Sequence, residues 1–286
     1  AISAYILINM PVLAVGQPMR LLDDPLNLQW FAVTSVLVSL AAVPVVLSKS
    51  QTPRQIEDSR LYFRYAYGNS PLGMLGSFAT GLANGAFWAL APVFTAVFAG
   101  GLSLAAWFMT AVVLGGAAGQ FPMGWLSDKI DRRYVLLGLS VAGGAVCTII
   151  WLLGTGVSQS AVLGLGFAWG AFSFPVYTIS VAHANDRADP QDYVRLSSAL
   201  LLMYGIGAIT GPFLASAVMT VLGAFGLYAY IGVVHGALTI YILFAGLRRK
   251  AVEADQSVDF SDSLAAALTS SQVYAEEGYG DDPEPE

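Results

Sequence analysis

Charged residues in this sequence gather into short clusters that separate long uncharged blocks. No Asp, Glu, Lys or Arg occurs in residues 65–127, 134–185 or 196–247. A helix that spans a membrane needs about 20 mostly apolar residues, so each block is long enough for two spans joined by a turn. Breaks at Gly, Pro and Ser clusters predict eight spans, near residues 1–19, 28–48, 72–99, 103–126, 134–154, 160–182, 196–222 and 224–247.

The basic residues predict how these spans are oriented. Twelve of the 13 Lys and Arg residues fall on one side of the predicted membrane, and only Arg20 falls on the other. Because cytoplasmic loops carry the excess of Lys and Arg, we expect that side to be cytoplasmic. The sequence therefore predicts a multi-pass protein of a plasma membrane, the inner membrane in a bacterium, with a cytoplasmic C-terminus.

Composition agrees with a membrane protein and disfavours other classes. Apolar residues make up 56% of the chain and charged residues 11%, against about 45–50% and about 25% in soluble domains. A single cysteine, Cys147, cannot form an internal disulfide, and no metal-binding cluster stands out, so we expect no cofactor, no metal and no nucleic acid partner. Residues 253–286 carry ten acidic and no basic residues, which predicts a disordered tail, either merely solvated or regulatory.

The start of the sequence predicts that part of the protein precedes it. The segment AISAYILINMPVLAVGQP begins in the middle of a predicted span, without a basic flank or a cleavage site. Residues 3–17 also align weakly with residues 198–212, at an offset of 195, and internal repeats are common in transporters. If the first two spans correspond to the last two, four further spans precede Ala1.

The charged cluster at residues 124–136 carries the most specific motif. It reads GWLSDKIDRRYVL and resembles the cytoplasmic-loop signature of the major facilitator superfamily, with Asp131 where that family usually has Gly. The segments GIGAITGP, ANGAFWALAPVF, GAFSFPVY and SVAHANDR also resemble this superfamily, closest to a poorly characterised bacterial branch. The resemblance implies an all-α polytopic membrane bundle of about eight helices, numbers 5 to 12 of twelve, with a complete C-terminal six-helix half.

The same resemblance divides the chain into four parts. Residues 1–48 would be the last two helices of the N-terminal half-bundle, 49–71 a cytoplasmic linker, 72–250 the C-terminal half-bundle, and 251–286 the acidic tail. The rest of the N-terminal half would then be a partner of this bundle in the same chain. In the superfamily the loop signature is thought to hold one conformation, which implies a conformational latch at Gly124, Asp128, Lys129, Arg132 and Arg133. The alternative is a cluster that only fixes the topology.

Polar and aromatic residues at helical spacing predict a solute cavity. Two predicted spans each place three such residues on one face, and by the resemblance these spans are helices 7 and 10, which line the central cavity of the superfamily. The predicted cavity residues are Asn9, Gln17, Thr80, Asn84, Trp88, Trp169, Ser173, Tyr177 and Tyr204. Since an unpaired amide is costly in hydrocarbon, each could instead simply bond to a neighbouring helix.

Three polar residues, His183, Asn185 and Asp186, crowd together at the cytoplasmic end of the sixth predicted span. A metal site is not expected there, because no second His, Cys or Glu lies within reach. The three predict a cytoplasmic gate that forms hydrogen bonds across helices, with a solvated helix end as the alternative. His235 is the only titratable residue clearly inside a span, and a role in coupling stays open for it.

Glycines at GxxxG spacing predict close helix packing and no ligand site. The pairs are Gly81/Gly85, Gly115/Gly119, Gly166/Gly170, Gly207/Gly211 and Gly232/Gly236.

Together these patterns predict secondary active transport of a small solute by alternating access, in a lipid bilayer, with coupling to a proton or another cation as an option. The alternative is a transporter-like membrane sensor or scaffold that acts through its cytoplasmic tail. An enzyme is not expected, because no nucleophile with a neighbouring base is visible at membrane depth.

Overall fold

The computed structural model describes residues 12–18, 28–47, 63–189 and 192–246. All regular structure in these residues is helical, which confirms the predicted all-α class. The helices are α1 (residues 12–16), α2 (Leu28–Leu47), α3 (Phe63–Asn69), α4 (Pro71–Thr95), α5 (Gly101–Lys129), α6 (Arg132–Leu153), α7 (Gln159–Asn185), α8 (Tyr193–Leu222) and α9 (Gly226–Tyr241), which a π-helical turn extends over Ile242–Gly246.

Five helical segments among the described residues are long and apolar enough to cross a membrane. They are Ser103–Lys129, Arg132–Gly156, Gln159–Asn185, Arg195–Leu222 and Gly226–Phe244, and their ends differ by a few residues from the predicted spans. α4 has 25 residues but does not reach this apolarity, because Gly, Ser, Thr and Asn side chains dilute its hydrophobic ones. Asn9, most of the linker and the acidic tail lie outside the described residues, so the four-part division stays a prediction.

Short polar signals begin several of these helices. Ser70 accepts a hydrogen bond at its Oγ from the backbone N–H of Gly73 at 3.0 Å, and Pro71 follows as the first residue of α4. Ser158 does the same for α7 through the N–H of Ala161 at 3.2 Å. A side-chain oxygen before the first turn satisfies a backbone donor that the helix itself cannot, and Pro fits there because its missing N–H is not needed.

Glycine contacts bring the helices together in parallel pairs. A Cβ on Gly81 or Gly85 of α4 would lie within 3.0 Å of backbone atoms of α8, and a Cβ on Gly115 or Gly119 of α5 would do the same against α7. Such contacts let helix backbones approach closely in lipid. We call the α4–α8 and α5–α7 contacts the glycine-carbonyl interfaces, since each glycine faces a backbone carbonyl.

The helices α4 to α9 form a bundle of six. Its remaining two helices, α6 and α9, form a third helix pair of a different kind. Gly232 of the fifth GxxxG pair meets only ordinary contacts, with a Cβ at 3.4 Å from that of Cys147, and Gly236 has nothing within 4 Å. The ring of His235 instead lies against Gly143 of α6, where a Cβ would come within 3.1 Å of it. Four of the five predicted glycine pairs thus lie at tight helix contacts, and the fifth does not.

An aromatic core fills the half of the bundle that lies away from the charged turn. Phe87 and Phe94 of α4, Phe108 of α5, Trp169 of α7 and Tyr228 of α9 are all fully buried there. Their rings meet at tilted or edge-on angles, for example Phe94 and Tyr228 at 4.8 Å between centroids. Such pairs add about 0.5–1.5 kcal/mol each beyond the apolar area they bury.

The helices before this bundle are placed differently from one another. In α1, Ala14 is buried and its carbonyl accepts a hydrogen bond from Thr110 of α5 at 3.3 Å. The side chains of residues 31–43 in α2 are all exposed. The short α3 places Ala66 in a buried cluster with Leu196 and Leu200 of α8, so it lies against the start of that helix.

Candidate functional site

The first part of the candidate site is the turn between α5 and α6. The Ser127 hydroxyl donates to the carbonyl of Gly124 at 2.7 Å, and Gly124 is buried. Asp131 accepts a hydrogen bond from the backbone N–H of Arg133 at 3.0 Å and so caps α6. This contact explains why Asp131 departs from the family signature. Its carboxylate accepts a hydrogen bond from a backbone N–H at the start of α6, which glycine cannot do because it has no side chain.

Arg132 ties together the ends of three helices. Its Nη2 lies 3.2 Å from Oδ1 of Asp128 in α5, and its Nε lies 3.0 Å from Oδ2 of Asp186, which follows α7. The Arg132 side chain is 3% exposed and that of Asp186 is 6% exposed. Removing one partner of a buried ion pair costs about 3–5 kcal/mol, because the other charge is left uncompensated, so α6 and α7 each depend on this contact. The predicted latch and the predicted gate therefore share one ion-pair cluster.

Arg133 forms a second, local pair with the residue that caps its own helix. Its Nε lies 2.9 Å from Oδ1 and 3.0 Å from Oδ2 of Asp131, and its Nη2 also contacts Oδ2. Burial alone would raise the pKa of the Asp131 carboxyl, but the hydrogen bonds and charge of Arg133 outweigh burial and hold that pKa below its ordinary value. Asp131 is therefore ionised at neutral pH.

Lys129, the last residue of the predicted latch, points away from this cluster. Its ammonium lies 3.9 Å from the ring centroid of Trp125, one turn earlier in α5. A cation above an indole face is a favourable contact, of about 0.5–1 kcal/mol at exposed sites. Lys129 thus contributes to the outer surface of the turn and not to the ion pairs of Arg132.

The other two residues of the predicted gate are also buried. His183 lies against the guanidinium of Arg187, with Nε2 at 2.7 Å from Nη1. Asn185 is 0% exposed, and neither of its amide atoms has a hydrogen-bond partner among the described residues. No group of three or more potential metal ligands occurs among those residues. The gate residues therefore form a buried polar end of α7, from which Asp186 reaches Arg132 of α6.

The predicted cavity residues of α4 lie on one face but differ in their surroundings. Thr80 is buried and donates to the carbonyl of Gly76 in its own helix at 2.8 Å. The Oδ1 atom of Asn84 is buried without a partner in the described part of the chain. Trp88 is half-buried, and its ring lies 6.5 Å from that of Phe174 in α7. Of these three residues, Thr80 and Asn84 are buried and Trp88 is half-buried.

The three predicted cavity residues of α7 do not share one environment. Trp169 is fully buried in the aromatic core, with its ring 4.9 Å from that of Phe87. Ser173 is directed to α9, where its Oγ lies 3.3 Å from Nε2 of His235. Tyr177 alone is half-buried, and its ring lies 5.0 Å from that of Tyr204 in α8. The structure brings Tyr177 and Tyr204 together and separates them from Trp169.

The structure also reveals polar and aromatic contacts that the sequence analysis missed. Gln120 of α5 donates from Nε2 to Oγ1 of Thr178 in α7 at 3.1 Å, and its Oε1 has no partner within the described ranges. Phe174 fits against Gly116, where a Cβ would overlap its ring. A glutamine inside an otherwise apolar span was the available signal for the first contact. Gln17 is half-buried, and Asn9 lies outside the described residues.

Comparison with known sequences identifies the family. The sequence profile of the Major Facilitator Superfamily matches residues 73–273. Proteins named "Uncharacterized MFS-type transporter YcaD" from Salmonella paratyphi B and Salmonella newport are each 29% identical to this chain over 150 residues. The aligned part covers 52% of this chain and 37% of each relative, so the match spans little more than a third of their length. The chain belongs to the Major Facilitator Superfamily and is an integral multi-pass membrane protein.

Proposed function

We propose that the protein is a secondary active transporter that moves a small solute by alternating access. The observation that carries this proposal is the buried ion pair between Arg132 and Asp186, with Asp128 as the second partner of the arginine. Each of the three residues belongs to a different helix end, so the cluster can hold one arrangement of the helices and release another. Family membership supports transport over catalysis.

The solute site in this proposal is the uncharged face formed by α4, α7 and α8. Its members are Asn84, Trp88, Phe174, Tyr177 and Tyr204, of which the four aromatic residues are half-buried. Half-buried rings and one amide suit an uncharged, partly apolar solute or the uncharged part of a larger one. Thr80, Trp169 and Ser173 would support this face from behind.

The orientation in this proposal follows the basic residues. Arg132, Arg133 and Lys129 lie at the end of the bundle that we assign to the cytoplasm, and the inner membrane of a bacterium is the proposed location. The described spans carry no Asp or Glu away from that end. A carboxylate that couples a proton or another cation would therefore lie outside these described spans.

Uptake into proteoliposomes tests the proposal directly. The natural protein is purified, small solutes are screened for thermal stabilisation, and a stabilising solute is then offered to proteoliposomes with and without an imposed proton gradient. We expect gradient-driven uptake that Trp88→Ala weakens by about tenfold and that Trp107→Ala, on the exposed surface of α5, leaves unchanged.

Removal of residues 253–286 separates transport from the alternative, a sensor or scaffold that acts through the acidic tail. A transporter keeps its uptake without the tail. Solute binding without uptake in any gradient, together with loss of a co-purifying partner on truncation, would favour the sensor and contradict transport.

A further inference from the structure

The six-helix bundle contains an internal repeat that defines equivalent positions. Residues 81–87 of α4 read GLANGAF and residues 166–172 of α7 read GFAWGAF, an offset of 85. Residues 115–121 of α5 read GGAAGQF and residues 207–213 of α8 read GAITGPF, an offset of 92. α4 therefore corresponds to α7 and α5 to α8, so the two glycine-carbonyl interfaces, α4–α8 and α5–α7, are counterparts of each other.

These two counterpart interfaces have different registers. In α4–α8, Gly207 faces the carbonyl of Phe78. Its counterpart in α5–α7, Gly115, faces the carbonyl of Phe167, which is the equivalent of Leu82 and not of Phe78. The difference is four residues, one helical turn or about 6 Å along the axis.

The glycines on the opposite helix of each interface agree with this difference. Gly85 of α4 faces the carbonyl of Ala208 in α8. Its counterpart Gly170 in α7 faces the carbonyl of Val112, the equivalent of Tyr204, which again lies one turn away from Ala208. The same glycine motif thus forms a close interface in two registers within one molecule.

The α4 helix has room for the second register. Ala89 follows Gly81 and Gly85 at the same four-residue spacing and is exposed, so the line of small residues on α4 extends one turn beyond Gly85. The counterpart of Ala89 is Phe174, which contacts Gly116, the counterpart of Ala208. In the second register Ala89 would therefore meet Ala208, two small side chains.

The short helix α3 holds α8 in the register observed. Ala66 is buried beside Leu196 and Leu200 of α8. Burial raises the pKa of Tyr65 above its ordinary value, and a hydrogen bond to Asp192 and the charge of that residue raise it further, which places the phenol beside the carboxylate that precedes α8. Both contacts would be lost if α8 moved by one turn.

We propose that α8 occupies two registers on α4, one helical turn apart, and that α3 favours the register seen here. Packed helices change between discrete arrangements and not continuously, because their side chains interlock. The turn at residues 223–225 would carry this movement into α9. The proposal rests on helix packing alone and does not depend on transport, so its failure would leave the proposed function untouched.

Disulfide cross-linking of matched cysteine pairs tests the two registers in the protein in membranes. The pairs are introduced into a Cys147→Ser background, so that the free cysteine Cys147 cannot react. In the observed register Gly211 faces the carbonyl of Leu82. The pair Ala86→Cys/Ala215→Cys lies one turn beyond this contact on both helices and reports the observed register. The pair Ala89→Cys/Ala208→Cys reports the second. Both pairs replace alanine by cysteine, so their effects on packing are matched. We expect both to cross-link on oxidation, since disulfides form only when the Cβ atoms come within about 3.5–4.5 Å.

The variant Tyr65→Phe sharpens this test because it removes the contact of α3 with Asp192. We expect it to raise the cross-linked fraction of the second pair by about fivefold, the effect of one typical hydrogen bond, and to lower that of the first. Complete cross-linking of the first pair without any of the second, with or without Tyr65→Phe, would overturn the proposal.

Spin labels provide a second measurement that leaves the interface intact. Val93 of α4 and Leu201 of α8 are both exposed and lie far apart along parallel helices. Labels at these two positions should give two distance populations that differ by about 6 Å. A single population that Tyr65→Phe does not shift would contradict two registers even where the cysteine pairs fail to insert.

Discussion

The two glycine-carbonyl interfaces and the third helix pair solve the problem of packing in lipid in different ways. In α4–α8 and α5–α7 glycines place backbone against backbone, and each of these four helices has one proline in its interior: Pro92, Pro122, Pro175 and Pro212. The α6–α9 pair has neither feature, since no proline interrupts these two helices. Its centre is instead filled by the side chain of His235, whose ring lies against Gly143, and the charged end of α6 is tied by Arg132 to α5 and α7.

The comparison teaches that these two kinds of contact tolerate change differently. A backbone contact has no side chain that can turn away, so an added atom must move a helix. A side-chain contact can rearrange, but it contains polar groups whose loss leaves a buried partner unsatisfied. Substitutions should therefore act by overlap in the first region and by lost polar contacts in the second.

The largest effect is expected at the charged end of α6, one of the two helices of the third pair. Arg132→Met leaves Asp186 buried without its cation and should reduce the free energy of unfolding by about 3–5 kcal/mol. Reversible unfolding of the purified protein in mixed micelles measures this loss. The control Lys129→Met removes a cation on the same turn that pairs with neither carboxylate, and it should cost less than about 1 kcal/mol; equal losses would contradict the role assigned to Arg132.

The next effect is expected at a glycine-carbonyl interface. Gly119→Val places a branched side chain where even a Cβ would overlap the carbonyl of Ala171, and the cost should be about 3 kcal/mol of unfolding free energy. Gly236→Ala in the third pair, where nothing lies within 4 Å, should have almost no effect. The unfolding assay compares the two directly, and similar costs would remove the distinction between the two regions.

A smaller effect is expected where α7 contacts His235, at the centre of the third pair. Ser173→Ala removes the hydroxyl that lies 3.3 Å from Nε2 of His235 and should cost about 1 kcal/mol, because the imidazole is left without that partner. His235→Phe in the same background should recover part of the loss, since both polar groups are then gone. A double-mutant cycle measures this coupling, and simple additivity would show that the two residues do not interact.

The smallest effect concerns the cap of α6 and depends on pH. Asp131→Asn keeps a capping oxygen but loses the charge beside Arg133, at a cost of about 0.5 kcal/mol at neutral pH. Since the pKa of Asp131 lies below its ordinary value of 3.8 when folded, its charge stabilises the protein above that value. This contribution is lost as the pH falls through the folded pKa. Unfolding curves of the two proteins should differ at pH 7 and converge in strong acid.

Much of the fold follows from the sequence because the bilayer imposes length and apolarity on every span. The uncharged blocks predicted α4 to α9 within a few residues, and the glycine spacing predicted four close contacts. The GWLSDKIDRR turn was recognisable because Gly, Asp and Arg occur there at fixed spacing. These features depend on local sequence, and that is why they could be predicted.

The environment of single side chains could not be predicted in the same way. Trp169, Ser173 and Tyr177 share a helical face, but a neighbouring helix decides what each one meets: the aromatic core, His235 or Tyr204. The contact of Arg132 with Asp186 joins residues far apart in sequence, so the latch and the gate were expected as separate clusters. The cavity, latch and gate roles of these residues stay predictions.

Two exposed tryptophans of α5 have a consequence for the bilayer in which the protein resides. Trp107 is 50% exposed and Trp125 is 61% exposed, and the five turns between them place both on the same side of the helix, about 27 Å apart at 1.5 Å per residue. Indole rings prefer the boundary between hydrocarbon and headgroups, and the hydrocarbon core is about 30 Å thick. The distance between the two tryptophans therefore sets the hydrocarbon thickness that suits α5. A bilayer with a thicker hydrocarbon core would have to become thinner around this helix.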